Sequence, residues 1–90
     1  MVVALPGEDL VREGIRDLEA GRETVAACLV SIGAARLRRS GLTVSERTLP
    51  EPEHRLYGLL SSEDPDAAHG RYNALIRRLV SYERARECAS

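Results

Sequence analysis

Two histidines, His54 and His69, are the side chains of this sequence that exchange protons near neutral pH. His69, Asn73 and Arg77 follow one another at i, i+4 and i+8, a spacing that lines side chains up along one helix face. An imidazole, an amide and a guanidinium in a row can grip a phosphate or a carboxylate, with Arg77 as the charged fork. The plainer reading of the same three residues is a solvated flank beside an apolar stripe. Six residues separate Arg47 from His54, and these two are the candidate catalytic pair. On a helical wheel His54 projects opposite Leu56 and Leu60, toward water, which is its plainer reading.

The Arg47–His54 interval fits the R-x4-6-H spacing and resembles the motif of the HEPN superfamily, small helical bundles that include ribonuclease toxins and partners of nucleotidyltransferases. The resemblance covers these two residues and the overall size, with Pro50 and Pro52 inside the interval. It implies a small helical nuclease centred on Arg47 and His54. Two acidic pairs, Glu19/Glu23 and Glu83/Glu87, resemble those of helical pyrophosphohydrolases, which hold magnesium through more densely clustered acids on two facing helices. Together these resemblances define one alternative: a small helical enzyme or a nucleotide- or phosphate-binding accessory domain.

Other chemistries find less support. His54 with Glu51 and Glu53, or His69 with Asp64 and Asp66, supplies half a metal site, and those acids stand where helix starts favour them. No metal and no cofactor is therefore expected. The seven glycines are scattered and build no phosphate-cradling loop. Cys28 and Cys88 are too isolated for a C-x-x-C pair, so both are expected as free thiols in a reducing, cytoplasmic setting. Arginine clusters at Arg36/Arg38/Arg39 and Arg77/Arg78 invite phosphate contacts. Fourteen acids offset thirteen arginines, however, and the net charge of -1 argues against a nucleic-acid partner. Met1–Pro6 lacks the basic start and apolar run of a secretory leader. No apolar stretch approaches the roughly 18–20 residues of a membrane span.

The elements that position these residues read as helices. Leu10, Val11, Gly14, Ile15 and Leu18 share one face of a segment from Pro6 to Ala20, opposite Arg12, Glu13, Arg16, Asp17 and Glu19, with Gly21 closing it. Thr24–Ala35 reads TVAACLVSIGAA and has only two polar residues. Its alanines, the arginines that follow and Gly41 predict a helix, with a strand over Val25–Ile32 as the lesser alternative. A third helix is predicted after Pro52, carrying Leu56, Leu59 and Leu60 and closing at Ser61–Ser62. Asp64–Pro65 predicts the start of a fourth, whose face runs through Ala68, Tyr72, Leu75, Ile76, Leu79 and Tyr82.

The expected fold is all-α: a small antiparallel bundle of about four helices in a single domain over residues 1–90, with a buried apolar second helix. A helix without a polar side must be covered all round. A homodimer is the expected way to do this, with Val25, Cys28, Leu29, Ile32, Leu75 and Leu79 at the interface. The leading functional expectation is a non-enzymatic, self-associating protein-interaction module, with a further protein as a second partner class.

Overall fold

The computed structural model describes Leu5 and residues 7–89. Its helices are α1 (Glu8–Glu19), α2 (Val25–Arg39), α3 (Pro52–Glu63) and α4 (Ala68–Ala89), with no strand among the described residues. They form a small helical bundle in which α2 meets the other three. Met1–Ala4, and Pro6, where the first helix is expected to begin, lie outside the described residues.

The α1–α2 hairpin follows from local chemistry. Gly21 adopts φ 74°, donates its N–H to Leu18 O at 3.1 Å, and lets Arg22 N–H reach Asp17 O at 2.8 Å. That pair of bonds satisfies the orphan carbonyls of the helix end. Thr24 then caps α2: its hydroxyl accepts the Ala27 N–H at 3.1 Å and donates to Asp17 Oδ2 at 2.7 Å. Asp17, expected on the wet face of α1, is consequently buried. The two helices approach closely because Gly14 has no side chain. A Cβ there would stand 2.3 Å from Ala26 O and 2.4 Å from Val30 Cγ2.

Helix α2 settles the strand alternative in favour of a helix and buries Ala26, Ala27, Cys28, Leu29, Val30, Gly33, Ala34 and Leu37. These eight positions are covered within one chain, whereas Ala35 of the same apolar run is exposed. Of the six positions expected at a dimer interface, Cys28, Leu29 and Leu79 belong to this internal core, while Val25, Ile32 and Leu75 stay half-exposed. Part of the cover is the 42–51 connection. Ser31 ties it down, donating to Ala27 O at 2.9 Å and accepting the Leu49 N–H at 3.1 Å. Arg38 clasps its start through Ser45 O at 2.6 Å.

The last two helices depart slightly from expectation. Helix α3 begins at Pro52 after Glu51, which takes a left-handed φ of 47°, and runs past the serines to Glu63. Asp64 does not open α4 directly. Its Oδ1 accepts the Asp66 and Ala67 N–H groups at 3.1 and 3.4 Å, making residues 64–67 a turn, and the helix starts at Ala68. A short acidic side chain that captures nearby N–H groups stabilises a turn in competition with the helix. Arg55 pairs with Glu23, Arg71 Nη1 lies 2.7 Å from Glu63 Oε2, and Tyr57 meets Tyr72, so α3 sits against the beginnings of α2 and α4. Gly33 faces Leu79 and Glu83, and Ser40 faces Arg86. Helices α2 and α4 therefore run in the same direction and end side by side.

Candidate functional site

Where α2 and α4 end together, the glycine in α2 shapes what α4 can place there. A Cβ on Gly33 would fall 2.8 Å from Glu83 Oε2 and 3.1 Å from Leu79 Cδ1. The missing side chain opens a slot, and the carboxylate of Glu83 fills it. Glu83 is 4% exposed, the most deeply buried acid among the described residues. Its charge partner is Arg36, whose Nη1 lies 3.6 Å from Glu83 Oε1. The same guanidinium grips Glu87 more closely, with Nε to Oε1 at 2.7 Å and Nη2 to Oε2 at 3.1 Å. This is the two-pronged arginine–carboxylate geometry.

The two carboxyls are driven in opposite directions. Burial pushes Glu83 above the ordinary glutamate range, Arg36 opposes the shift, and the neighbouring Glu87 adds to it. The hydrogen bonds from Arg36 hold Glu87 below that range, with the charges of Arg36, Arg39 and Arg84 contributing. Beside Glu87 lies a cleft of about 460 Å³ lined by Arg36, Arg39, Ser40 and Glu87 itself. Arg86 holds the Ser40 of that lining, donating from Nε to Ser40 Oγ at 3.0 Å and from Nη2 to Ser40 O at 2.8 Å. Arg39 is exposed and makes no hydrogen bond or ion pair among the described residues. A buried, shifted carboxyl with a specific charge partner at a cleft is the kind of arrangement that accompanies binding and proton-transfer sites.

The residues singled out in the sequence lie elsewhere. His69 and Asn73 do meet, with Nε2 and Nδ2 at 3.3 Å, but both are exposed and neither bonds to the exposed Arg77. Arg47 and His54 are also exposed and are not joined by a hydrogen bond; the Arg47 N–H instead donates to Ser45 Oγ at 3.1 Å. The acidic pairs find arginine rather than further acids: Glu83 and Glu87 face Arg36, and Glu23 faces Arg55. Among the described residues no three or more His, Cys, Asp or Glu side chains are placed to hold a metal. No helix there is long and apolar enough to cross a membrane. Cys28 is buried, and this raises its thiol pKa; Cys88 is exposed, and both are free.

Comparison with family models, with curated proteins and with solved structures finds no match for this chain.

Glu83 and Gly33 were legible in principle. Glu83 follows Leu79 by four positions and so falls on the apolar stripe of α4, where a carboxylate needs a partner. Gly33 interrupts a run of good helix formers in α2, the usual sign of a close approach. What no pattern within either helix supplies is the register that sets one against the other.

Proposed function

We propose that this chain is a non-enzymatic helical module that acts by contact with another protein surface, in the first instance a second copy of itself. The observation that carries the proposal is the placement of its aromatic residues. The sequence has three tyrosines and neither phenylalanine nor tryptophan. Only Tyr82 joins the core fully. Tyr57 is 41% exposed, the largest apolar side chain left in water among the described residues, and its ring tilts against half-buried Tyr72 at 5.7 Å.

A small chain short of aromatic residues gains most by burying each one, because a tyrosine removes some 150–250 Å² from water. Leaving two at the surface of the α3–α4 hairpin runs against that gain. Tyrosine is enriched at protein interfaces, where it supplies area at small entropic expense. A second copy suits the surface because a tyrosine pair can face its own image across a two-fold axis. The net charge of -1 gives little repulsion between copies.

Sedimentation tests this directly. The wild-type chain should dimerise at concentrations up to about 100 µM, and Tyr57→Arg should be monomeric over the same range. Its helical circular dichroism should be unchanged, since Tyr57 is exposed. A wild-type chain that stays monomeric throughout, or a Tyr57→Arg variant that dimerises equally well, overturns the proposal.

A further inference from the structure

We propose that the cleft between the C-terminal ends of α2 and α4 binds a small oxyanion, a carboxylate or a phosphate, which takes the place of Glu87 on Arg36. The chain already displays the contact such a ligand would make. Arg36 presents its Nε and Nη2 as a fork, and the Glu87 carboxylate docks on it with both oxygens. Guanidinium forks of this kind accept carboxylate and phosphate oxygens alike.

Three features make the place a site rather than a surface ion pair. The first is charge: Arg36 grips the Glu87 carboxylate directly, and the more distant charges of Arg39 and Arg84 also favour an anion there. The second is volume, since about 460 Å³ lies within the range of small-ligand pockets. Arg39 and Ser40 line that space; the Ser40 hydroxyl is engaged with Leu37 O and Arg86, while Arg39 has no hydrogen-bond or ion-pair partner of its own among the described residues. The third is the fixed position of Arg36. Buried Glu83, seated over Gly33, faces Nη1 of the same guanidinium and holds the fork where α4 can reach it.

Glu87 differs from Glu83 in standing outside the core: it is exposed and lies near the end of α4, so displacing its carboxylate leaves the core closed. An entering oxyanion then takes the two Arg36 hydrogen bonds and adds Arg39, while Glu83 stays in its slot. Glu87 is in this sense an internal competitor, and its removal should strengthen binding.

The test is titration with inorganic phosphate and with acetate, each against sodium chloride at matched ionic strength. The readout is the arginine Nε–H and backbone NMR signals. Saturable shifts are expected at Arg36, Arg39 and Ser40, and whichever anion binds tighter identifies the ligand class. Glu87→Gln should bind about tenfold more tightly than wild type, and Arg39→Ala about tenfold more weakly. Binding that stays unsaturated beyond about 50 mM in both wild type and Glu87→Gln overturns the proposal, as does equal affinity in these two proteins. The same titration on Tyr57→Arg separates this site from self-association: the tyrosine surface lies on the α3–α4 hairpin, so either proposal can fail while the other stands.

Discussion

Helix α2 meets two of its neighbours across a glycine, and the two contacts use the absent Cβ differently. At Gly14 the backbone of α1 comes down onto Ala26 and Val30, leaving no free volume. At Gly33 the gap is filled by the carboxylate of Glu83 reaching in from α4. The first seam is apolar along its length and locked at its turn by Asp17 and Thr24. The second is apolar at Leu79 and ionic from Glu83 onward, where it opens into the arginine-lined cleft. Close backbone packing serves stability alone, whereas a slot that admits a charged group keeps that group beside water and beside a partner.

Both seams share the core of α2, so the largest effect is expected where they meet. Leu29 is wholly buried. Leu29→Asp places an unpaired carboxylate there, at a loss of about 3–5 kcal/mol. A chain of this size holds only about 5–10 kcal/mol in total, so the variant should lose about half of its stability, seen by circular dichroism as a much lower urea midpoint. An unchanged urea midpoint would mean that α2 is not the common core.

Gly14→Ala comes next and addresses the first seam alone. The new methyl would meet a main-chain carbonyl, which cannot swing away as a flexible side chain can. A loss of about 3 kcal/mol in urea unfolding is expected, at the upper end for overpacking. A loss below about 1 kcal/mol would show that the helices separate easily and that the contact is not close-packed.

How much of this was legible follows the same division. Within a helix, periodicity and end chemistry sufficed: Gly21 and Gly41 close α1 and α2 with left-handed turns, Thr24 caps α2, and most of the apolar run lies inside, with Val25 and Ile32 half-exposed and Ala35 exposed. Asp17 misled because its wheel position looked wet, while its actual partner, Thr24, comes from the next helix. Glu83 escaped for a related reason. Its slot exists only when Gly33 and α4 are in register, and that register depends on packing between segments fifty residues apart. His69, Asn73 and Arg77 stood out for the converse reason, since chemically suggestive side chains at helical spacing share a face whether or not anything converges on it.

Gly33→Ala addresses the second seam and should be milder than Gly14→Ala. The atoms it meets are the Glu83 carboxylate and the Leu79 methyls, all at the ends of side chains that can move. About 1 kcal/mol is expected, accompanied by partial expulsion of Glu83 from its slot. Carboxyl NMR would follow this as a return of the Glu83 titration toward ordinary values. The pH dependence of stability reads the same group. Because the folded state raises Glu83, it binds that proton more tightly than the unfolded chain. This contribution to stability therefore falls as pH climbs from the ordinary glutamate value through the raised one. Glu87 has the opposite sign: Arg36 lowers it, so its contribution is present above the ordinary value and is lost as pH falls through the lowered one. Glu83→Gln should flatten the decline on the alkaline side, and Glu87→Gln the decline on the acid side. A Glu83→Gln variant with the wild-type profile would mean that burial in the slot leaves Glu83 unshifted.

The smallest effect has the opposite direction and tests whether the glycine comparison concerns space or only helix propensity. Gly58 in α3 and Gly70 in α4 have no atom within 4 Å of where a Cβ would stand, and both are exposed. Replacing either by alanine removes backbone freedom from the unfolded chain and introduces no clash, so each change should stabilise by about 0.5–1 kcal/mol. The same methyl added at Gly14 or Gly33 receives that entropic gain too, and there it is outweighed by contact. If Gly58→Ala and Gly70→Ala stabilise while Gly14→Ala strongly destabilises, the sign is set by what surrounds each Cα. If all four shift stability alike, propensity governs throughout, and neither the tight α1–α2 seam nor the Glu83 slot has the packing assigned to it.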